Sequence, residues 1–564
     1  MVFKTKSERP VSRVSDKKTR AVPVLFILLT LVLGACNNSS TVGPAQSVAA
    51  TTALSGNFTP LGGLKEDTQV LNLAGSEVSS FDPALVSEAE TSFVLRQIYS
   101  GLVTLDQDLK VIPDLAVRLP EITEQDTLYT FTLRPGLKFQ SGREVTAEEI
   151  RFSLERATDP KLVAPDPASV LPANSYMSDI VGAKDKLEGR AEQISGLTVR
   201  DKYTLQIKIE TARPSFLVKM TNSVFFVLNP DAVANGFEQP DGTGPFKLLE
   251  YKPGQFLKLA RNPSYAGRPA YLSQVNFALG ANSANGLVQY EQGKFDALKL
   301  TPNETTQLLL AQNNPLNQEL LVKPELALTY LGFNIHTRPF DEPKVRQAFA
   351  SVVDRAKVAQ MIYNNKLEAA MTLVPPGLTG YTDNKGAITY DINHARDLIA
   401  QSSYRSPANL PKITLYSTGN PLAGALKEIY KQAFDLEVEV RQYDYKDFQS
   451  GLSQRQFQIY LFGWTAEYPD PENFLRSLLG TGSPFNESGY NNQKFDDLLK
   501  QGDQEANLQK RWQLYGQAEA LALGEVPLFP LKYGVNYLLV KPYVKGLNLT
   551  AVGLWNLKDV SIQK

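Results

Sequence analysis

The chain has 564 residues, of which 43% are hydrophobic and 21% are charged, and its formal net charge is -1. This is the composition of an ordinary globular protein, and the length is sufficient for more than one hydrophobic core. Residues 1–35 hold seven Lys or Arg against two acids, so the remainder of the chain stands near -6. A mildly acidic chain shows no electrostatic footprint for nucleic acid, so we expect no nucleic-acid partner.

The first 35 residues have the pattern of a secretion signal. Their Lys and Arg residues precede an uncharged apolar stretch at 21–33, which is shorter than a typical membrane-spanning helix. The stretch ends in Leu33-Gly34-Ala35-Cys36, which resembles the bacterial lipobox, where the cysteine receives the lipid. Cys36 is the only cysteine, so the chain cannot form an internal disulfide. We expect a lipoprotein signal peptide at 1–35 and lipid attachment at Cys36; the alternative is a lone buried cysteine.

Residues 36–65 consist largely of small and polar residues, with few large apolar side chains. Such a segment buries too little surface to offset the entropy lost on ordering, so we expect a flexible tether. The globular body then begins with a predicted strand at 69–75, a turn at Asp82-Pro83 and a helix from about Thr91 to Ile98.

The next part of the chain has regular local patterns. Residues 128–133 alternate as a half-buried strand, and the run from Thr146 to Glu149 is a capping box that opens a helix. Further on, a helix is predicted from about Pro343 to Tyr363 with Arg346, Gln347 and Arg355 on its solvated side. A later long helix is predicted over 503–523, within an alternation of strands and helices.

The stretch 457–479 contains the candidate binding chemistry. Residues 457–462 predict a strand buried on both faces of a mostly parallel sheet, ended by Gly463, and Asp470-Pro471-Glu472 predicts the start of a helix. The loop between them lies where open α/β sheets bind ligands. Glu467 has no evident structural role there, and between two aromatic residues it suits an amine; the alternative is a solvated loop acid.

Several runs together resemble a known family. They are SFDPAL at 80–85, YTFTLRPGLKFQSG at 129–142, TGPF at 243–246, RNPSY at 261–265 and GWTAEYPDPENFL at 463–475. They resemble, in the same order, the extracellular solute-binding proteins of family 5, which serve peptide and nickel ABC importers. The resemblance implies an α/β, bilobal periplasmic-binding-protein-like fold of class II, cluster C type, with an extra small domain.

The same resemblance implies a division of the chain after the tether. The implied parts are lobe I (first part) at 66–103, an extra domain II at 104–236, lobe I (second part) at 237–328, lobe III at 329–523 and lobe I (C-terminal part) at 524–564.

The resemblance also implies the ligand-binding residues. Relatives usually have an aspartate that holds the α-amino group of the peptide where this chain has Glu467, and the backbone after their Asp-Pro turn lines the site. The implied residues are Glu467, Trp464, Thr465, Ala466, Tyr468, Val86, Ser87, Glu88, Ala89 and Tyr330. For 86–89 the alternative is that Asp82-Pro83 only turns the chain. Two positions that are charged in some relatives, Gly332 and Leu461, are neutral here, so the cargo is a peptide, a modified peptide or another small cationic solute.

Signatures of catalysis and metal binding are missing from the sequence. The histidines, His336 and His394, have no partner pattern typical of zinc, and no GxSxG motif is present. We therefore expect no enzyme activity, metal or cofactor. The expected function is a lipid-anchored, monomeric substrate-binding protein, in the periplasm or on the cell surface, that delivers peptides to ABC permease subunits. Alternatives are a sensor lipoprotein and, less favoured, a secreted hydrolase.

Overall fold

A computed structural model describes residues 69–564 except 163–170, 302–303, 306–307, 309–313, 364–368, 384–387 and 554–556. The expected signal peptide, Cys36 and the tether at 36–65 lie outside the described residues. Within the described part of the chain, no helix is both long enough and apolar enough to cross a membrane.

The strands are numbered in chain order. They are β1 Val70–Ala74, β2 Val103–Leu105, β3 Val111–Pro113, β4 Glu121–Thr123, β5 Leu128–Thr132, β6 Leu197–Asp201, β7 Thr204–Lys208, β8 Phe246–Lys252, β9 Phe256–Arg261, β10 Gln274–Ala278, β11 Ala297–Lys299, β12 Leu320–Phe333, β13 Ile413–Ser417, β14 Val438–Gln442, β15 Ile459–Thr465, β16 Leu528–Val540, β17 Val544–Lys545 and β18 Ser561–Ile562.

The α-helices are numbered in the same way. They are α1 Ala89–Ile98, α2 Ala147–Ala157, α3 Pro172–Tyr176, α4 Ala183–Leu187, α5 Phe216–Lys219, α6 Pro230–Ala234, α7 Gly286–Glu291, α8 Pro343–Ser351, α9 Arg355–Tyr363, α10 Ile392–Ala400, α11 Leu422–Phe434, α12 Tyr445–Ser453, α13 Glu472–Leu479, α14 Gln493–Gln504 and α15 Leu508–Glu525.

One ten-stranded sheet has the order β14-β13-β15-β12-β16-β11-β1-β10-β9-β8. β13 is parallel to β14 and β15, and β1 is parallel to β10 and β11. β12 and β16 are long, and they pair antiparallel to each other with a register shift between Glu325 and Leu328. The predicted "mostly parallel" surroundings of β15 are therefore wrong on one side, because its partner β12 is antiparallel.

We name three parts by their elements. Lobe I contains α1, α6, α7, β1 and β8–β11; domain II contains the separate antiparallel sheet β4-β5-β7-β6 with α2–α5; lobe III contains β13–β15, the adjoining parts of β12 and β16, and α8–α15. Each part has hydrophobic core clusters, and the two main clusters in lobe III include Phe349 and Phe474 respectively. The residue boundaries given above for the domains stay a prediction.

Domain II confirms two local predictions. The buried and half-buried residues of β5 alternate as expected, with Tyr129 and Phe131 in the core. At the start of α2, the Thr146 hydroxyl accepts from the Glu148 N–H, and the Glu149 carboxylate accepts from the Thr146 N–H at 3.0 Å. The predicted capping box is thus present.

The predictions for the helices of lobe III need correction. The predicted helix over 343–363 is two helices, α8 and α9, and the one predicted over 503–523 begins at Leu508. Arg346 is buried rather than solvated, and its guanidinium donates to backbone carbonyls, among them that of Glu525 at 2.7 Å. Arg355 is also buried and donates to the carbonyl of Ala370 at 3.0 Å. Neither partner lies close in the sequence, so local spacing gives no sign of it.

Candidate ligand-binding cleft

The loop that carries the candidate carboxylate follows β15, but it begins later than predicted. Gly463 does not end the strand, because Gly463, Trp464 and Thr465 continue the antiparallel pairing with β12. The N–H of Ala466 then donates to the carbonyl of Leu326 at 2.7 Å. The long partner strand thus extends β15 by two residues past the glycine, and the loop proper starts at Ala466.

Glu467 is solvent-exposed, and two hydrogen bonds fix its position. Its Oε2 accepts a hydrogen bond from the Tyr176 hydroxyl of domain II at 2.5 Å, and its N–H donates to Oδ1 of Asn473 at 3.1 Å. Desolvation by the surrounding protein raises the pKa of Glu467, and the hydrogen bonds from Tyr176 and Asn473 oppose that rise. Within the described residues Glu467 forms no ion pair, so it presents a carboxylate that favours a cationic partner.

The neighbours of Glu467 have structural contacts. The indole N–H of Trp464 donates to Asn473, and its ring lies 5.1 Å from that of Phe485. Ala466 and Tyr468 are buried, and the Tyr468 ring packs against Tyr176 in the core of domain II. These contacts leave Glu467 as the polar group of the loop that a ligand can reach.

Asp470 does more than cap a helix. One of its oxygens accepts from the N–H of Glu472 at 2.9 Å, as the sequence predicts for a helix start. The same carboxylate also forms a two-pronged ion pair with the buried guanidinium of Arg511, at 2.7 and 2.8 Å. The loop is thereby fixed to α15.

The turn at Asp82-Pro83 leads to the second group of predicted residues. Residues 83–85 form a short 3-10 helix, Val86 is buried, and Ser87, Glu88 and Ala89 are exposed at the start of α1. The Glu88 carboxylate accepts from the hydroxyl of Ser79 at 3.1 Å. Exposed backbone at 87–89 remains available to a ligand.

A cavity of about 800 Å³ opens between lobe I and lobe III. It brings together Ala89 and Thr465, one from each predicted segment, and its charged lining residues are Glu90, Glu304, Glu325 and Lys299. The other predicted site residues do not line it. Tyr330 in particular is fully buried, with its ring against Tyr460 and Phe462, so the structure does not bring it to the cleft.

The sequence did not identify Tyr176, Glu90, Glu325 or Lys299. Tyr176 is 291 positions from Glu467 in the chain, and no local pattern links the two. Glu90 and Glu325 were detectable only as neighbours of predicted site segments. In the β12–β15 pairing of lobe III, Leu461 is buried opposite Leu331, and Gly332 lies opposite Tyr460, whose ring a side chain at position 332 would meet. Their neutrality therefore says nothing about the cleft.

Known proteins resemble this chain over most of its length. The dipeptide-binding protein DppE of Bacillus subtilis is 26% identical over 86% of this chain and 90% of its own length. The probable deoxycholate-binding periplasmic protein YgiS of Escherichia coli is 28% identical over 84% and 89%. The solved structure of Helicobacter pylori DppA in complex with the peptide STSA has a TM-score of 0.74 at 24% identity, and covers 88% of this chain and 98% of its own. That structure confirms the predicted periplasmic-binding-protein-like fold.

Residues 110–486, more than half of the chain, match the family described as bacterial extracellular solute-binding proteins, family 5 Middle. The order of motifs along the chain and the cleft between two lobes agree with that match. The family is described as solute-binding, which supports a binding role. The chain belongs to the bacterial extracellular solute-binding proteins of family 5.

Proposed function

We propose that this protein captures peptides outside the cytoplasm and delivers them to the permease subunits of an ABC importer. Glu467 carries the proposal: it is an exposed carboxylate on the loop after β15, oriented by Tyr176 and without a cationic partner in the described structure. Such a group pairs with the α-amino group of a peptide, while backbone groups at 87–89 and Thr465 hydrogen-bond to the peptide backbone.

The charges around the cavity support an amine-bearing cargo. Three of the charged residues that line it are glutamates and one is a lysine. Glu304 is already occupied, since its carboxylate accepts from the Thr301 hydroxyl and N–H at 2.8 Å. Glu325 interacts electrostatically with Lys532, which lies nearby on β16. Hydrogen bonding leaves the charge on Glu304, so the three glutamates still exceed the two lysines, Lys299 and Lys532, by one negative charge. That excess favours peptides over solutes whose only charge is a carboxylate.

The relatives support peptides as the class of cargo. DppE is named a dipeptide-binding protein, and the DppA structure contains a bound peptide. We further propose that the protein is a monomer, anchored through a lipid on Cys36 to a bacterial membrane, with the tether at 36–65 giving the folded body reach toward the permease.

The first test is to identify the ligand that co-purifies with the protein, by denaturing it and analysing the released molecules by mass spectrometry. We expect peptides from the wild type, and at least about tenfold less peptide per protein from Glu467→Ala, because the amine loses a partly desolvated ionic partner. Glu467→Asp is the matched control, since it keeps the charge, and we expect it to retain most of the peptide.

Two outcomes contradict the proposal. A released solute that is not a peptide rejects the cargo, and equal peptide recovery from the wild type and Glu467→Ala rejects the role of Glu467. Thermal unfolding of each variant shows whether a loss of ligand reflects a loss of fold.

A sensor lipoprotein would bind the same ligand but would not support uptake. Deleting the gene and measuring import of a labelled form of the identified peptide separates the two functions. A hydrolase would release fragments of the peptide, which the same mass spectrometry detects.

A further inference from the structure

Domain II contacts lobe III through a set of interlocked charges that we call the ionic cluster. It consists of Asp179, Arg213 and Lys219 from domain II and Glu472, Arg476 and Asp503 from lobe III. Between the two parts, Lys219 Nζ lies 3.0 Å from Glu472 Oε1, and Arg213 Nη1 lies 2.9 Å from Asp503 Oδ2. The hydroxyl of Ser215 also donates to Glu472.

The ionic cluster is buried, which makes its pairing energetically important. Lys219, Glu472 and Asp503 have exposed fractions of 5%, 2% and 4%. Burial disfavours the charged form of Glu472, but the charges of Lys219, Arg213 and Arg476 outweigh it and hold the pKa of Glu472 well below its ordinary value. A buried charge that loses its partner is strongly destabilising. Domain II and lobe III must therefore meet in the arrangement that pairs these charges.

Each half of the ionic cluster carries a net charge that the other half cancels. The domain II half has two cations and one carboxylate, whereas the lobe III half has two carboxylates and one cation. Separated, each half is a charged surface that water can solvate. Together they are neutral and largely removed from water, so docking favours this one arrangement.

The ionic cluster adjoins the loop that carries Glu467. Lys219 lies 5.7 Å from the ring centre of Tyr468, the residue after Glu467, and Glu472 opens α13 at the end of the same loop. From the same domain II, Tyr176 donates its hydrogen bond to Glu467. Separation of domain II from lobe III would therefore remove the residue that orients the candidate amine-binding carboxylate.

The connectivity of the chain permits such a separation. Both ends of domain II lead into lobe I, to α1 on one side and to α6 and β8 on the other. Domain II is also held to lobe I by a two-pronged ion pair between Arg156 and Asp82. The chain does not pass directly from domain II to lobe III, and their contact combines the ionic cluster with the packing of Tyr468 against Tyr176. Interfaces between domains of one chain that contain such polar contacts commonly open and close.

We propose that the ionic cluster is a latch that forms when lobe III closes on domain II and that it completes the amine-binding site at Glu467. Lys219 and Arg213 are then positioning residues, which act on the ligand through the loop 466–471. This inference rests on the proposed function for its ligand, but the latch itself is tested without a peptide.

The test measures the distance between domain II and lobe III in the full-length chain in detergent. Cys36→Ser removes the only native thiol, and Lys184→Cys with Lys510→Cys places spin labels at exposed positions in the two parts. Double electron–electron resonance then gives the ratio of long to short separations. We expect Lys219→Met and Glu472→Gln each to raise this ratio at least about tenfold, because each removes the buried ion pair between Lys219 and Glu472 that joins domain II to lobe III.

Matched controls isolate the latch from general destabilisation. Lys219→Arg keeps the charge, so it should keep the wild-type ratio. Lys541→Met breaks the ion pair with Glu319, at 3.0 Å within the β12–β16 region, and should leave the ratio unchanged. A wild-type ratio in both Lys219→Met and Glu472→Gln overturns the proposal.

The wild-type protein provides a second test that needs no latch variant. Salt screens the attraction between the separated charged faces, so raising NaCl from about 0.1 M to about 1 M should increase the long separations at least about threefold. A constant ratio across that range overturns the latch even if the variants fail to fold. Co-purified ligand is first removed by unfolding and refolding the protein, and no peptide is added back, so a failed ligand assignment for Glu467 and a failed latch give different results.

Discussion

At the scale of single residues, Asp114 is a carboxylate whose protonation affects the stability of the fold. It lines a second cavity, of about 460 Å³, together with Arg96 and Lys558. Burial raises the pKa of Asp114 to about 6, against the opposing effects of a hydrogen bond with Ser100 and of the nearby cations. The ordinary pKa of an aspartate is 3.8, so the folded protein binds this proton more tightly than the unfolded chain does.

We predict that Asp114→Asn stabilises the protein at neutral pH. Because the folded-state pKa is raised, ionisation of Asp114 costs stability as the pH rises past the unfolded value, and the full cost is reached above about pH 6. The variant avoids that cost, so its free energy of unfolding should exceed that of the wild type by about 2 kcal/mol at about pH 7 and equal it near pH 4.

Urea denaturation at several pH values measures this difference. Asp108→Asn, an exposed aspartate that lines the same cavity, is the control and should change the free energy of unfolding by less than about 0.5 kcal/mol at every pH. A difference between wild type and Asp114→Asn that does not depend on pH would contradict the role assigned to its ionisation.

The environment of a residue could be predicted from the sequence only where its partners lie nearby in the chain. Glu467 was predicted as a site residue because Asp470 and Glu472 in the same stretch already have structural roles, and its role in binding stays a prediction. Arg346 was predicted to be solvated because the apolar residues of α8 mark a different face of the helix as buried. Its guanidinium instead donates to a backbone carbonyl 179 positions away. Tyr176 and Lys219 are likewise defined by partners in lobe III, and single-sequence patterns do not contain that information.

At the scale of elements, the start of α2 shows how local a helix signal is. Thr146 caps the helix with its own hydroxyl, and its N–H is bound in return by Glu149. We predict that Thr146→Ala lowers the free energy of unfolding by about 1 kcal/mol, because a helix N–H loses its acceptor. Chemical denaturation checks this value, and Thr146→Ser, which keeps the hydroxyl, should cost little.

Strand ends were less predictable than helix starts. The helix signal at Asp470-Pro471-Glu472 located the start of α13 to within one residue, since the helix begins at Glu472 and Asp470 accepts from the Glu472 N–H. Such a signal depends on residues within one turn. Gly463, in contrast, was predicted to end β15, but Leu328 and Ala327 of β12 continue to pair with the two residues after it. A strand ends where its hydrogen-bonded partner ends, and that partner is more than 130 positions away in the sequence.

At the scale of the whole molecule, the order of motifs was enough to predict the family fold, whereas the contacts between parts were not. The β12–β16 pair links lobe I to lobe III, and domain II touches both. Ion pairs across these contacts join residues that are far apart in sequence, such as Asp82 with Arg156 and Lys219 with Glu472. The structure alone locates them.

The pair between Asp82 and Arg156 yields a prediction about how domain II and lobe I are held together. Asp82 is buried, and both of its oxygens accept from the Arg156 guanidinium. We predict that Arg156→Met lowers the free energy of unfolding by about 3 kcal/mol, because it leaves a buried carboxylate without its partner. Adding Asp82→Asn should recover part of that loss, since the amide oxygen can still accept from the Ala84 N–H while the unpaired charge is gone.

Equilibrium denaturation of the two single variants and the double variant measures the coupling between these residues. Arg151→Met is the matched control in the same helix: its partner Glu148 is exposed, so breaking that pair should cost less than about 1 kcal/mol. If Arg156→Met costs no more than Arg151→Met, the pair does not hold domain II to lobe I. If instead it costs about 3 kcal/mol and Asp82→Asn relieves it, domain II is fixed to lobe I at this point, and closure of the cleft moves lobe III against both.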